Sequence, residues 1–292
     1  MSHNRAFTIV MPVYNEEETL KEAILNLQDF LDKEGFEYEI LCVDDKSTDK
    51  SLEILNSIEN ITVVKHRKNR GYGGALKSGI KNAKYDTIII MDSDGQHDPK
   101  DIPKLLEAYE DEETMVIGQR KIYQTKISRI LGKVLIHKIA NFIFKEEIPD
   151  INSGFRVFSK KIASRYVHLC SERFSFSTSI TLSYISENLN IVYVPIEVKK
   201  RAGGESQVKF KTGFRTILKI LELGMIFKPL RVILPISMLF GLFGFISFLT
   251  DLRDMNLTNT TVFLFSNAVI LFISALLAEQ IKNIRMEIIR RG

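Results

Sequence analysis

Residues 88–99 read Ile88-Ile89-Ile90-Met91-Asp92-Ser93-Asp94-Gly95-Gln96-His97-Asp98-Pro99, an apolar strand pattern that runs directly into two aspartates in Asp-x-Asp spacing. In open α/β sheets, ligands bind outside the carboxyl ends of the strands. Paired carboxylate oxygens at such a place suit a hard cation such as Mg²⁺ or Mn²⁺, which can bridge phosphate oxygens. The competing interpretation is that both aspartates are turn or helix-cap residues.

Two other segments, residues 7–18 and 40–49, repeat the design of an apolar strand that leads into polar residues. Strand patterns at about 7–13, 38–43, 61–65 and 86–91 alternate with helical patterns at about 17–32, 48–57 and 74–83. This alternation predicts a Rossmann-like, mostly parallel α/β sheet. The carboxyl ends of parallel strands meet at one edge, so the three polar clusters can line a single cleft. Its expected lining is Tyr14, Glu16, Asp45, Asp92 and Asp94.

A glycine-rich stretch at residues 70–75 superficially resembles a phosphate-binding loop. It follows the third predicted strand instead of the first, and no acidic partner lies at the expected distance. Ala75, Gly79 and Ala83 continue it as a helix face of small residues. We therefore interpret this stretch as structural, with the small residues packed closely on the sheet.

Two long uncharged runs near the carboxyl terminus extend from Val232 to Thr250 and from Leu257 to Ala278. A helix of the first run's length covers about 28 Å, close to the hydrocarbon thickness of a bilayer. Neither run has an amphipathic face, which disfavours two buried core helices. We predict a transmembrane hairpin at 232–250 and 260–280. Lys and Arg flank its outer ends, so both termini should be cytoplasmic.

Basic residues cluster beside this hairpin. Lys and Arg recur between residues 120 and 145 without any acidic residue, and again between 199 and 231, interleaved with apolar residues. This pattern indicates amphipathic helices on an anionic membrane surface. Nucleic acid is disfavoured as a partner because the net charge is only +4 and the cations lie next to the apolar runs. Small residues in the first run permit close helix contacts and hence homo-oligomers; they are Ser237, Gly241, Gly244 and Ser247.

Five motifs in order resemble those of the inverting family-2 glycosyltransferases with the GT-A fold, in particular the polyprenyl-phosphate (dolichyl-phosphate) sugar transferases. The resemblance spans roughly residues 5–230. The motifs are Pro12-Val13-Tyr14-Asn15-Glu16, Val43-Asp44-Asp45-x-Ser47, Asp92-Ser93-Asp94-Gly95-Gln96, Asn152-Ser153-Gly154-Phe155-Arg156 and Arg201-Ala202-Gly203-Gly204-Glu205-Ser206.

The resemblance implies a cytosolic GT-A domain at residues 1–210, a juxtamembrane amphipathic helix at 211–231, the two spans, and a basic tail at 281–292. It implies transfer of a sugar from a nucleotide-diphosphate sugar to a polyprenyl phosphate, with Mg²⁺ or Mn²⁺ as cofactor. A UDP-sugar is favoured over GDP-mannose on resemblance alone. The product would serve as a donor for protein glycosylation or cell-envelope glycan assembly.

The resemblance also implies which residues form the site. Asp94 is the expected metal ligand, with Asp92 and Gln96 as further candidates for the metal, the ribose or the diphosphate. Always-charged guanidinium groups suit the two phosphates in play. The predicted donor- and phosphate-binding set is Pro12, Tyr14, Glu16, Val43, Asp45, Asp92, Ser93, Asp94, Gln96, Arg120, Arg156, Arg201, Ser206 and Lys209.

Acceptor chemistry decides what Asp150 does. A phosphate monoester, with a second pKa of about 6, is largely dianionic at neutral pH and needs positioning more than deprotonation. A sugar hydroxyl would need a base, so Asp150 is either an orienting group or a base, and Arg120 assists catalysis. One departure from the family pattern is Gln207 where Lys is frequent, with Lys209 two places on.

Three alternatives stay open at this point. One is a glycosyltransferase with a hydroxyl acceptor on a lipid-linked glycan or a protein. A second is a processive polysaccharide synthase, which the absence of Trp disfavours because those enzymes carry a Gln-x-x-Arg-Trp signature. The third is a non-catalytic membrane-binding subunit, which would predict a broken metal motif.

Overall fold

A computed structural model describes residues 5–120, 138–139, 141–144, 149–150, 153–170, 172, 176–197 and 210–291. The chain divides into two compact units. The first comprises residues 1–131 and 147–212, and the second comprises 132–146 and 213–292. The structure thus groups a stretch of the predicted GT-A domain, around residues 138–144, with the carboxyl-terminal helices.

The first unit is built on a seven-stranded sheet in the order β3-β2-β1-β4-β6-β5-β7. Its strands are β1 (Phe7–Val13), β2 (Tyr38–Asp44), β3 (Thr62–Lys65), β4 (Thr87–Ile90), β5 (Thr114–Arg120), β6 (Arg156–Ser159) and β7 (Asn190–Ile196). All neighbouring pairs are parallel except those of β6, which runs antiparallel to β4 and β5. The predicted mostly parallel α/β sheet is confirmed.

Helices cover both faces of this sheet. They are α1 (Leu20–Glu34), α2 (Ser51–Asn56), α3 (Tyr72–Asn82), α4 (Ile102–Ala108), α5 (Lys160–Tyr166) and α6 (Phe176–Ser186). The larger core cluster joins the apolar stripe of α1 to β1, β2 and β4. On α3, a Cβ at Gly79 would collide with the Val10 side chain of β1, which confirms the predicted close packing of small residues on the sheet.

The second unit contains α7 (Phe210–Phe227), α8 (Pro229–Arg253) and α9 (Asn259–Arg291). Among the residues that the structure describes, two helices are long and apolar enough to cross a membrane, Pro229–Arg253 and Asn259–Ile288. They lie at the predicted spans and extend beyond them at both ends. On α7, Ile220 and Leu223 are buried while Leu218 and Met225 are exposed.

The small residues of α8 pack against α9 of the same chain. Ser237 Oγ donates to the Ala268 carbonyl at 2.8 Å, and a Cβ at Gly244 would lie 3.2 Å from Leu264 Cβ. Ser247 Oγ lies 2.6 Å from Thr261 Oγ1. The stripe that suggested homo-oligomers is therefore used within the hairpin, and its spacing is no argument for a second copy.

Candidate active site at the carboxyl edge of the sheet

The carboxyl ends of β1, β2 and β4 lie side by side. Val13 of β1 pairs with Asp44 of β2, and Val10 pairs with Ile90 of β4, all in parallel register. The segments that follow these strands carry Tyr14, Asp45 and Asp92. The structure thus brings the three predicted clusters to one edge of the sheet.

The Asp-x-Asp segment is held in place from several directions. Gly95 has φ +71°, a left-handed conformation that glycine adopts without strain, and Asp94 Oδ1 accepts the Gln96 backbone N–H at 3.1 Å. The Asp92 N–H donates to His97 Nδ1 at 3.4 Å, and the His97 ring stacks on Phe155 with centroids 4.9 Å apart. Both carboxylates are therefore carried on a well-supported turn.

Tyr72, the first residue of α3, is a site residue that the sequence did not single out. Its hydroxyl donates to Asp92 Oδ1 at 3.0 Å. Burial, reinforced by the charge of Asp92, raises the pKa of the Tyr72 phenol well above its ordinary value, so the hydroxyl stays a donor. Tyr72 lies in the glycine-rich stretch at residues 70–75 that was interpreted as structural from its sequence, and its contact with Asp92 spans 20 residues along the chain.

Gly154 closes this arrangement from another side. A Cβ at this position would lie 2.9 Å from both Asp92 Oδ2 and the Tyr72 hydroxyl, closer than real Cβ atoms approach. The glycine of the Asn-Ser-Gly-Phe-Arg motif is therefore needed because its backbone passes directly over Asp92. The neighbouring Ser153 fixes that backbone by donating to the Gly118 carbonyl at 2.6 Å.

These residues fit a divalent cation whose remaining ligands come from a substrate. Over the described part of the chain, no group of three or more His, Cys, Asp or Glu side chains is arranged to hold a metal. Mg²⁺ is commonly held by one or two protein carboxylates together with substrate phosphates. Asp92 and Asp94 meet that requirement, whereas a permanent structural metal would need more protein ligands.

Asp45 has a different role from the predicted one. Its buried carboxylate accepts the backbone N–H groups of Arg70 and Gly71, each at 2.7 Å, and contacts His66 Nδ1 at 2.7 Å. Asn69 Nδ2 donates to its carbonyl at 3.2 Å. These partners occupy both carboxylate oxygens, so Asp45 anchors the loop before α3 and does not fit the predicted contact with ribose or base.

Of the adjacent residues Asp44 and Asp45, Asp44 has a carboxylate oxygen that accepts no hydrogen bond from a described residue. It is fully buried, and its Oδ1 accepts the Ser47 N–H at 3.1 Å. No described residue donates to its Oδ2. Buried carboxylate oxygens are normally hydrogen-bonded, so Asp44 is the better candidate for a ligand N–H group. The Asp-Asp motif predicted an acidic residue at this place. It did not indicate which of the two carboxylates is hydrogen-bonded by other residues of the chain.

The loop after β1 is tied to the loop after β2. Asn15, at φ +55°, exchanges hydrogen bonds with Thr48, and the Glu16 N–H donates to Ser51 Oγ at 2.9 Å. The Tyr14 side chain is 47% exposed at this edge. An exposed aromatic ring on a fixed loop is suited to stack on a planar base, as predicted for Tyr14.

Two predicted contact residues, Ser93 and Val43, are buried, and a third, Pro12, is hydrogen-bonded to Ser93. Ser93 is buried and donates through Oγ to the Pro12 carbonyl at 2.9 Å, which ties the Asp-x-Asp turn to β1. The Val43 side chain is fully buried in a small cluster with Leu41 and Ala75. Val43 can therefore offer a ligand only its backbone, and Ser93 and Pro12 position the site.

Arg120 and Asp150 form a bidentate ion pair. Arg120 Nε lies 2.8 Å from Asp150 Oδ2, and its terminal nitrogen lies 2.9 Å from Oδ1. The hydrogen bond to Asp150 raises the pKa of the Arg120 guanidinium, although burial opposes this. The structure brings these two predicted catalytic residues together and occupies both carboxylate oxygens of Asp150.

Arg156 is placed in the core of the first unit, which does not fit the predicted phosphate contact. The residue is fully buried, and its guanidinium donates to the Ser177 carbonyl at 3.2 Å, to Thr181 Oγ1 at 3.0 Å and to the Ser153 carbonyl. Burial lowers the pKa of this guanidinium. Arg156 therefore holds the Gly154 segment to α6. The predicted residues Asn152, Arg201, Ser206, Gln207 and Lys209 lie outside the described residues.

The second unit contains an apolar groove of about 280 Å³. Two cations, Lys138 and Arg231, stand among its lining residues, and Arg231 donates one terminal N–H to the Ile143 carbonyl at 2.9 Å. The other lining residues are Ile139, Phe142, Ile143, Leu221, Val232, Pro235 and Ile236. The groove thus lies against the first two turns of α8, at the basic end of a candidate membrane span.

Family profiles match two regions of the chain. Glycosyl transferase family 2 matches residues 8–167, and the GtrB C-terminal hairpin matches residues 228–284. An uncharacterised protein of Methanocaldococcus jannaschii is 33% identical over 228 residues, 73% of this chain and 90% of that protein.

Two relatives have named activities. The dolichol-phosphate mannosyltransferase of Pyrococcus furiosus is 31% identical over 74% of this chain and 63% of its own length. The undecaprenyl-phosphate 4-deoxy-4-formamido-L-arabinose transferase of Edwardsiella ictaluri is 29% identical over 68% of this chain and 62% of its own length. This chain therefore spans slightly less than two thirds of either of these two proteins.

A solved structure shares the fold. Glucosyl-3-phosphoglycerate synthase of Mycobacterium tuberculosis, crystallised with Mn²⁺, UDP and phosphoglyceric acid, superposes with a TM-score of 0.61 at 18% identity, over 76% of this chain and 79% of that one. At this identity the likeness concerns the fold, and it agrees with the GT-A architecture.

Proposed function

Because this chain belongs to glycosyl transferase family 2, we propose that it transfers a sugar from a nucleotide-diphosphate sugar to a polyprenyl phosphate at the cytosolic face of a membrane. The observation that carries the proposal is the pair Asp92 and Asp94, held at the carboxyl end of β4 in a chain that ends in an apolar helical hairpin. A UDP-sugar remains the favoured donor, with GDP-mannose as the alternative. Both termini are proposed to be cytoplasmic.

We assign the donor to the edge formed by β1, β2 and β4. Tyr14 would stack on the base, and Asp44 Oδ2 would accept a base N–H group. Glu16 would contact the ribose. A bound Mg²⁺ or Mn²⁺ at Asp92 and Asp94 would supply Lewis-acid neutralisation of the diphosphate.

Sugar transfer is proposed as a single inverting displacement. An acceptor phosphate oxygen forms the new bond to the anomeric carbon while the bond from that carbon to the β-phosphate oxygen breaks. The leaving nucleoside diphosphate keeps the electron pair. An acceptor phosphate with a second pKa of about 6 is largely dianionic at neutral pH, so no proton needs to be removed.

The Arg120–Asp150 pair favours this acceptor over a sugar hydroxyl. Both oxygens of Asp150 accept hydrogen bonds from Arg120, which stabilises the ionised carboxylate and weakens it as a base. Asp150 is therefore proposed as an orienting group for Arg120, whose guanidinium would face a phosphate. A hydroxyl acceptor would need a base with an unengaged oxygen.

The groove in the second unit supports an acceptor that is a lipid. Its apolar walls suit a hydrocarbon chain, and Lys138 and Arg231 suit an anionic headgroup. A volume of about 280 Å³ is at the small end of ligand pockets, so the groove would hold only the part of a chain next to its headgroup.

The proposal is tested with the full chain purified in detergent, supplied with Mg²⁺ or Mn²⁺, undecaprenyl or dolichyl phosphate, and a panel of radiolabelled UDP- and GDP-sugars. We expect label in the lipid fraction that depends on both the metal and the lipid phosphate. Label that appears only with a free polyprenol or a glycan hydroxyl would refute the phosphate acceptor. Nucleotide binding without any transfer would indicate a non-catalytic subunit.

Filling the groove should weaken acceptor use selectively. Ile236→Trp places a large ring into the groove from a side chain that is already 46% exposed, and we expect the KM for polyprenyl phosphate to rise about tenfold because the lost contact corresponds to about 1.4 kcal/mol. The KM for the nucleotide sugar should not change. Met238→Trp on the same helix, 65% exposed and outside the groove, is the matched control. Equal acceptor KM values in both variants would remove the groove from the acceptor site.

A further inference from the structure

The hydrogen bond from Tyr72 to Asp92 suggests what decides the choice of cation, on the basis of the proposed metal-dependent function. We propose that Tyr72 is a positioning residue that engages one carboxylate oxygen of Asp92, disfavours bidentate binding through both oxygens and thereby selects Mg²⁺ over larger cations such as Ca²⁺. The hydroxyl donates to Oδ1 at 3.0 Å, while no residue in the described part of the chain donates to Oδ2.

Cation size enters through the number of oxygens that a carboxylate supplies. Ca²⁺ takes six to eight oxygens at about 2.3–2.6 Å and frequently uses both oxygens of one carboxylate, whereas Mg²⁺ takes six at about 2.0–2.1 Å in strict octahedral geometry. A carboxylate whose Oδ1 accepts a hydrogen bond from a phenol keeps one lone pair on that oxygen, but its Oδ1 is the weaker ligand and binding through both oxygens is disfavoured. Asp92 in this state suits Mg²⁺ and removes one ligand that Ca²⁺ would otherwise gain.

Tyr72 can impose this restriction because its own position is fixed. The two residues before it, Arg70 and Gly71, donate their N–H groups to the buried Asp45 carboxylate at 2.7 Å. Gly74 N–H, in the first turn of α3, donates to the Glu172 carbonyl at 2.8 Å.

The Asp92 carboxylate is equally confined. A Cβ on Gly154 would lie 2.9 Å from both Asp92 Oδ2 and the Tyr72 hydroxyl, so only a glycine backbone can pass this close to the pair. The hydrogen bond from Tyr72 therefore distinguishes the two carboxylate oxygens, since it engages Oδ1 and not Oδ2.

The test measures metal binding directly. The full chain in detergent with UDP or GDP is titrated with Mn²⁺, and the free ion is followed by electron paramagnetic resonance. Mg²⁺ and Ca²⁺ are then added as competitors. We expect Tyr72→Phe to raise the affinity for Ca²⁺ relative to Mg²⁺ about tenfold, because Ca²⁺ gains a second oxygen ligand from Asp92. A tenfold change in affinity corresponds to about 1.4 kcal/mol of binding free energy. Tyr72→Leu, which also lacks a donor, should shift the ratio in the same direction.

Tyr85→Phe is the matched control. Its hydroxyl donates to Glu37 Oε1 at 3.0 Å in an exposed pair of the same unit, so the same chemical change is made away from Asp92. The control should keep the wild-type ratio. Equal Ca²⁺ to Mg²⁺ ratios in wild type and Tyr72→Phe would overturn the inference alone. Failure of the wild type to bind Mn²⁺ with either nucleotide would overturn it together with the metal dependence of the proposed function.

Discussion

Asp94→Asn should lower kcat/KM for sugar transfer by about 1000-fold, because losing the charge that holds the metal removes about 4 kcal/mol of leaving-group stabilisation. Asp94 stands at the carboxyl end of β4 with its backbone turn fixed by Gly95 and by the Gln96 N–H. The substitution keeps the shape and the acceptor oxygen of the side chain. Transfer of radiolabelled sugar into lipid, measured over a range of Mn²⁺ concentrations, gives the result.

Asp98→Asn provides a control in the same segment. Asp98 Oδ1 accepts the Lys100 N–H at 3.1 Å and caps the short helical turn Pro99–Asp101, a role that Asn performs equally well. This variant should retain wild-type transfer. Comparable losses in both variants would mean that the segment tolerates no change of charge, and Asp94 would lose its assignment as the metal ligand.

Asp45→Asn should destabilise the first unit by about 3 kcal/mol, since a buried carboxylate that accepts several hydrogen bonds is replaced by an amide with one acceptor. Two backbone N–H groups and the His66 ring now share that carboxylate. The amide NH₂ would face at least one N–H group. Thermal unfolding can be followed with a thiol-reactive dye, because Cys42 and Cys170 are both buried in the folded chain.

The two roles considered for Asp45 give opposite results in this measurement. If Asp45 anchors the loop, Asp45→Asn lowers the unfolding temperature. Saturating nucleotide then raises that temperature only by the amount that ligand binding to the folded state provides. If Asp45 instead binds the ligand, Asp45→Asn leaves the unfolding temperature of the ligand-free protein unchanged and weakens nucleotide binding. Asp29→Asn, which alters an exposed helical ion pair with Lys33, is the control and should change stability very little.

The first four strands and the edge at which they end could be predicted because apolar runs and the acidic segments after them are local features. The role of Asp45 could not, since its carboxylate partners lie 21 to 26 residues further along the chain. A motif shows that an acid is present at the edge. Which donors reach it depends on the loop that folds back over it.

Arg156 shows the same limit for a cation. Its motif suggested phosphate binding, yet its donors are taken by Ser153 and by Ser177 and Thr181 of α6. The sequence of helix α6 has no amphipathic pattern, because nearly all of its residues are buried. Nothing in that sequence therefore indicated that α6 supplies polar partners to Arg156. The contact of Tyr72 was not predicted for a similar reason, because its partner Asp92 follows β4, 20 residues further along the chain.

The turn between α8 and α9 bears on how the hairpin enters a bilayer. Asp251 is buried there, and its Oδ2 accepts both the N–H of Thr258, at 2.7 Å, and its hydroxyl, at 2.9 Å. An unpaired aspartate costs about 3 kcal/mol at the centre of a translocating helix. Because the partner of Asp251 is Thr258, which directly precedes α9, α8 inserted alone would carry that penalty across. The two helices should therefore enter together, as one preformed pair.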